Sequence, residues 1–266
     1  MRHDQGSAVT IGAYDGVHLG HRRVIELLRG RAAAEGLRSV VVTFDRHPAA
    51  VVHPSSAPPL LTDAAQKLDL LQATGVDQVL VLRFDAERAT EPAEDFVNEV
   101  LVAELGARVV VVGDDFHFGH ERRGNVALLR SMGADAGFTV EPVHLIEDDA
   151  EHEIVSSTRI RALVAKGELD HAAALLGRPH EVRGRISVPD SDGVFGVDVP
   201  EPVLLPPAGT YDGHAGLVGG SLVPARLAVV AHLDGGPQRI DVALAEPADQ
   251  LLLGGAEGAA VRVRFG

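Results

Sequence analysis

Cysteine and tryptophan are absent from this 266-residue chain, and aromatic residues make up only 4% of it. Without cysteine there is no disulfide framework, no cysteine-ligated zinc and no thiol nucleophile. No apolar run is long enough to span a bilayer. The polar stretch Met1 to Ser7 has no apolar segment of the kind that directs secretion. A cytoplasmic protein without a membrane partner is therefore expected. Positive charge is scarce as well: 24 Lys and Arg stand against 38 Asp and Glu, a formal net charge of −14. Such a surface repels nucleic-acid backbones and anionic lipids, which argues against a nucleic-acid partner but leaves room for a local basic pocket holding a small anion. The chain also lacks a Walker A sequence, so a P-loop is not its phosphate site.

What is present is 45% hydrophobic content, enough for one large core or for a larger and a smaller one. Apolar runs recur at Ala8–Gly12, Ser39–Phe44, Gln78–Phe84, Arg108–Gly113 and Phe138–His144. "SVVVTF" and "RVVVVG" are nearly continuous β-branched stretches, the pattern of strands buried on both faces. Between the runs lie helical patterns: "HRRVIELLRGRAAAEG", starting near His21 and stopping at Gly36; "TDAAQKLDLLQATG", with apolar Leu68, Leu70 and Leu71; "AEDFVNEVLVAELG"; and "NVALLRSMGADAG". Strands alternating with helices predict an α/β domain, a Rossmann-like parallel sheet covered on both faces. "SSTRIRALVAKG", with Ser157 or Thr158 as N-cap, and "ELDHAAALLG" predict two further helices. From about His180 the helical signals stop. "EVRGRISV", "ARLAVVAHL", "RIDVALA" and "AVRVRF", split by Gly and Pro, predict a small antiparallel β-barrel or sandwich. The expected domains are residues 1–180 and 181–266.

Three stretches carry candidate chemistry. In "AYDGVHLGH" His18 and His21 sit three apart in a loop between a strand and a helix, where an open parallel sheet places its ligands. Gly16 and Gly20 permit close backbone approach, and a helix N-terminus favours an anion. Phosphate binding, a turn with two solvated histidines, and a weaker zinc reading all fit the residues alone. In "VVVGDDFHFGHERRGN", Asp114 and Asp115 can meet a ribose, a magnesium ion or a base edge, and Phe116 and Phe118 can line a flat ring. The same residues also read as an acidic loop with core aromatics. In "SSTRIR", hydroxyls and two guanidiniums at a helix start make either an oligophosphate clamp or a simple cap.

Taken together and in order, these stretches resemble the bacterial bifunctional riboflavin kinase/FAD synthetase family. "GAYDGVHLGH" resembles its GxFDGVHxGH motif, with Tyr14 in place of Phe. "TFDRHP" is similar to its second-strand segment, "VVVGDDFHFGHERRGN" to its VGxDFxFGxxRxG loop, and "VSSTRIR" with "LLGRPHEVRGRI" to its SSTxIR motif and the junction after it. The resemblance covers residues 8 to about 186. It implies an FMN adenylyltransferase module of the HxGH nucleotidyltransferase type, in which the FMN phosphate attacks the α-phosphate of ATP. It further implies His18, His21 and Arg161 as the catalytic set. ATP would meet Gly12, Ala13, Tyr14, Asp15 and Gly20, with Asp115, Ser157 and Thr158. The flavin would meet Phe44, Pro48, Phe116 and Phe118. Magnesium is implied as the ATP counter-ion, with no protein metal site.

The sequence departs from the family in two places. The lead-in before the first strand has no counterpart. The family's kinase half opens GxVxxGxxxGRxLGFPTAN, and "VRGRISVPDSDGVFGVDVPEPVLLPPAGTY" contains no PTAN; Asp241 stands where the family has a catalytic Glu. The sequence therefore predicts a FAD synthetase whose barrel has lost riboflavin kinase activity and serves packing or homo-oligomerisation. A related nucleotidyltransferase using another acceptor or CTP, and a non-catalytic flavin or nucleotide sensor, are the competing readings.

Overall fold

The computed structural model describes residues 5–144, 154–187, 194–200, 202–230, 238–245 and 257–266. Its contacts divide it into two compact units, one of residues 1–58 and 67–155, the other of residues 59–66 and 156–266. This division is by compactness alone and runs differently from the expected boundary near residue 180.

The first unit is built on a parallel sheet of β1 (Ser7–Ile11), β2 (Arg38–Phe44), β3 (Gln78–Leu82), β4 (Ala107–Gly113) and β7 (Thr139–Val143), in the order β3-β2-β1-β4-β7. A two-stranded ribbon, β5 (His117–Phe118) with β6 (Gly124–Asn125), lies between β4 and β7 in the chain. Side chains alternate across a strand, so each valine run feeds two cores. Val40, Val42, Val110 and Val112 pack on one face with Val9 and Ile11. Val41, Val109 and Val111 pack on the other with Ala8.

Helices close both faces. α1 (Leu19–Glu35) contributes Val24, Ile25, Leu28 and Ala32, and α3 (Ala64–Gln72) contributes Leu71, to the second face. Two four-residue helices, α2 (Ala49–Val52) and α4 (Ala86–Ala89), follow β2 and β3. The first face is covered by α5 (Ala93–Phe96) with its continuation Val97–Glu104, and by Leu129 of α6 (Val126–Ala136). The predicted helix over "AEDFVNEVLVAELG" thus forms, but past Phe96 it widens to a π-helix, with Leu105 N–H bonded to Val100 O at 3.1 Å. Two expected boundaries move: α1 starts at Leu19, ahead of His21, and β3 stops at Leu82, short of Phe84.

The second unit contains α7 (Ser157–Lys166), α8 (Leu169–Leu176) and a closed antiparallel barrel of β8 (Glu181–Ile186), β9 (Val194–Val199), β10 (Gly209–Leu217), β11 (Val223–Val230), β12 (Gln238–Leu244) and β13 (Ala260–Phe265). The strands run β10-β11-β12-β9-β8-β13, and β13 pairs with β10 to close the ring. Val182, Phe195, Val197, Leu227, Ile240, Val263 and Phe265 fill it. Four of the six strands follow the apolar runs. β9 and β10 do not, because glycines interrupt their pattern. A Cβ on Gly213 would fall 2.2 Å from the Arg264 carbonyl, so this strand needs glycine where its neighbour's backbone comes close.

Candidate active site

β1 leaves the sheet at Ile11, and the loop after it carries the histidine motif. Tyr14 (φ 52) and Val17 (φ 39) both lie in the left-handed region, a conformation that costs a non-glycine residue about 1–3 kcal/mol and persists only where its surroundings hold it. Burial of both side chains supplies the hold, together with the Val17 N–H donating to Tyr14 O at 3.2 Å. The phenol of Tyr14 hydrogen-bonds the Thr10 hydroxyl at 2.7 Å. Burial pushes its pKa far above the usual phenol value, against a smaller lowering by the Thr10 hydrogen bond, so it stays neutral. Tyr14→Phe should therefore destabilise the fold by about 1–3 kcal/mol, by leaving the buried Thr10 hydroxyl unpaired. Adding Thr10→Val should recover most of the loss. Chemical denaturation of the two variants checks this.

The strained loop delivers His18 as the N-cap of α1. Its backbone is extended, and its Nδ1 accepts the His21 N–H at 3.4 Å. With Nδ1 used as an acceptor, the neutral ring carries its proton on Nε2. His18 is only 4% exposed. Its ring stacks on that of His21, with centroids 3.6 Å apart and planes 21° from parallel. The edge contact between the Tyr14 and His21 rings is 5.0 Å. A side chain at Gly20 would crowd this packing. A Cβ there would lie 3.2 Å from His18 Cε1 and Nδ1 and 3.2 Å from the Val155 carbonyl. The result is two imidazoles in register at a helix N-terminus, on the carboxyl end of a central strand. Donors so arranged suit an oxyanion of phosphate.

The end of β2 lies beside this loop, with Gly12 N–H bonded to Val42 O at 3.1 Å. Phe44 meets Phe84 edge-on at 5.1 Å, and Pro48 precedes α2 as its N-cap. Asp45 accepts the Phe84 N–H at 2.9 Å. Burial would raise the pKa of that carboxyl, but the Phe84 amide and Arg46 outweigh it and hold the value below the usual range. Between the two loops sits a residue the sequence did not single out. Lys67, 8% exposed, donates from Nζ to Phe44 O at 2.8 Å and to Ala13 O at 3.3 Å. Burial lowers its pKa, while Asp15 and Asp45 oppose the shift.

At the end of β4, Asp114 pairs with His144 Nδ1 at 2.8 Å. Asp115 is exposed, and its carbonyl meets His117 Nδ1 at 2.7 Å. Phe116 and Phe118 stack at 5.4 Å, and Phe118 also packs on Phe96 at 5.7 Å. Phe118 is a member of the core and Phe116 lies half-buried against it.

The third motif belongs to the second unit. The N-cap of α7 is Ser156, whose hydroxyl accepts the Arg159 N–H at 3.3 Å, rather than Ser157 or Thr158. A cap residue sits outside the helical backbone, and the chain turns helical at Ser157. Ser157 and Thr158 therefore occupy the first turn, half-buried and exposed respectively. Arg161 donates from Nε to Pro59 O at 2.7 Å.

A family model described as FAD synthetase matches residues 1–159. The chain belongs to the FAD synthetase family. It is 41% identical over 182 residues to the bifunctional riboflavin kinase/FMN adenylyltransferase of Pseudomonas fluorescens, a match covering 68% of this chain and 58% of that protein. To the proteins of the same description from Haemophilus influenzae and Escherichia coli K12 it is 38% and 35% identical, with the same coverage. The chain thus spans less than two thirds of the length of these FAD synthetase relatives. Its fold matches that of a structure titled macrolide-efflux protein from Streptococcus pneumoniae with a TM-score of 0.83 at 24% identity, over 98% of this chain and 85% of that one. The likeness in fold thus extends well past the part matched in sequence. Among the described residues no helix is long and apolar enough to cross a membrane.

Proposed function

We propose that this chain is an FMN adenylyltransferase. It transfers AMP from MgATP to FMN, giving FAD and pyrophosphate. An oxygen of the FMN phosphate attacks the α-phosphorus, and the bond to the β-phosphate oxygen breaks. The observation that carries this reading is the stacked His18–His21 pair at the start of α1, beside the strained loop after β1. Nothing in the step requires a covalent intermediate. Alignment of the attacking oxygen and stabilisation of charge on the phosphates are enough. His18, through its Nε2 proton, and His21 donate to phosphate oxygens as charge builds there. Gly12, Ala13, Tyr14, Asp15 and Gly20 form the backbone cradle on this side, and Asp115 lies toward the adenosine or the flavin. Phe44, Pro48 and Phe116 offer apolar surface to the isoalloxazine, with Phe118 behind Phe116. Magnesium enters as part of the nucleotide. That ion is carried mainly by the substrate phosphates.

Ser157, Thr158 and Arg161 are assigned to the β- and γ-phosphates. The support is chemical: hydroxyls in the first turn of a helix with a guanidinium one turn on. Arg161→Ala should weaken ATP by about tenfold to a hundredfold, the scale of a lost charged hydrogen bond, and should weaken FMN much less. Arg161→Lys should recover only part, because a point charge cannot replace a planar fork. Separate titrations of the two substrates check this; equal losses contradict the assignment.

The division of labour puts adenylyl transfer in residues 1–180, with a barrel that does not phosphorylate riboflavin. The test is to incubate the purified protein with magnesium, each of the four nucleoside triphosphates in turn, and FMN or riboflavin, and to separate the products by chromatography. FAD formed from ATP and FMN supports the reading. A product from CTP, or binding without turnover, contradicts it.

A further inference from the structure

Lys67 serves a purpose that neither the histidines nor the hydroxyl-guanidinium set covers; this argument rests on the adenylyl-transfer reading above. An ammonium withdrawn from water is costly unless its donors and its charge are matched. Here Nζ reaches two main-chain carbonyls, Phe44 O at 2.8 Å and Ala13 O at 3.3 Å. They belong to different segments: Ala13 to the loop after β1 and Phe44 to the end of β2. Ala13 O also accepts the Thr43 hydroxyl at 3.3 Å, so the loop is tied to β2 twice at one atom. Asp15, 4% exposed, and Asp45 supply opposite charge. An aliphatic residue would fill the space without any desolvation cost, so packing does not explain a lysine.

We infer that Lys67 is a positioning residue for the transfer step: its ammonium pins the loop that carries His18 and His21 to the end of β2 that carries Phe44, and so fixes the gap between phosphate donors and acceptor. A misplacement of about 1 Å costs on the order of a hundredfold in such a step. Ground-state contacts to the nucleotide should suffer much less.

Lys67→Met removes the charge and keeps the bulk. Two readouts are needed. Hydrogen exchange followed by mass spectrometry on peptides covering residues 12–22 and 43–47 reports the pinning whether or not the protein is active. Steady-state kinetics with MgATP and FMN report its consequence. Exchange in both peptides should speed up by about tenfold or more. Turnover should fall by about a hundredfold, while KM for MgATP stays within about threefold. Because the chain has no cysteine, Lys67→Cys can be alkylated at that position alone. Aminoethylation rebuilds a lysine analogue and should restore slow exchange and turnover. Propylation, of similar length but uncharged, should restore neither. These two forms decide the matter in the same way if Lys67→Met does not fold. Unchanged exchange in Lys67→Met, or equal rescue by the propyl group, overturns the inference. If the unaltered protein makes no FAD, the functional reading fails, and the exchange data alone decide whether Lys67 pins the loops.

Discussion

His18→Ala or His21→Ala should lower FAD formation by about two to four orders of magnitude. A single preorganised donor to a developing oxyanion is worth about 10²–10³ in turnover, and here the two donors are not independent. The rings stack at 3.6 Å, and His18 Nδ1 holds the His21 amide. Removing either ring also takes away a stacking contact that orients the other, so each single loss should exceed that of an isolated donor, and the double variant should be little worse than the worse single one. Melting of the variants should fall only slightly for His21, whose ring is half-buried and caps no helix. It should drop for His18, because that change deletes a buried ring and a helix cap, the latter alone worth about 1 kcal/mol. Near-normal turnover in either variant contradicts the role. Measuring turnover per folded molecule keeps a stability loss from being mistaken for a chemical one.

Riboflavin should not be converted to FMN at more than about 1% of the rate of FAD formation. A riboflavin kinase must hold ATP phosphates and magnesium beside the ribityl hydroxyl, and must orient that hydroxyl. After Gly184 the sequence contains no asparagine, and its one threonine is Thr210, at the second position of β10. The sequence therefore offers no Thr-Asn pair of the kind that the resemblance implies for metal and phosphate. By the same resemblance, Asp241 stands where a longer Glu is expected. On β12, Ile240 and Val242 are buried in the barrel, while Asp241 between them is engaged by Arg239 Nε at 2.7 Å. A carboxylate one methylene short and already paired is badly placed to orient a hydroxyl, and about 1 Å of misplacement alone costs on the order of a hundredfold. FMN formed from riboflavin as fast as FAD is formed from FMN would refute this, and would mean that the barrel uses other residues.

The sheet was legible because its strands are buried on both faces. Long β-branched runs such as those at Val40–Val42 and Val109–Val112 have few other ways to fold. The barrel was legible only where its strands alternate. β9 and β10 carry Gly196, Gly213 and Gly216 at close approaches to neighbouring atoms, and such glycines break the pattern that would reveal a strand. The histidine motif could be read as a ligand site, but its geometry could not. The left-handed backbone at Tyr14 and Val17 has no local sequence signature, since neither residue favours it. The N-cap of α7, Ser156, lies within a run of three hydroxyls, where sequence offers little discrimination. Lys67 carries no such signal, because a lone lysine among leucines reads as the solvated edge of an amphipathic helix. Its partners, Ala13 and Phe44, are 54 and 23 residues away in the chain, and only the fold brings them together.

The central claim is that this chain moves the α-phosphoryl group with its adenosine, and not the γ-phosphate. Parallel reactions with α-labelled and γ-labelled ATP, each offered FMN or riboflavin in the presence of magnesium, test it most directly. The account predicts label from the α-position in FAD and label from the γ-position in pyrophosphate when FMN is supplied, with no labelled flavin from either nucleotide when riboflavin is supplied. Label from the γ-position in a flavin product, or no labelled FAD from α-labelled ATP and FMN, would contradict it.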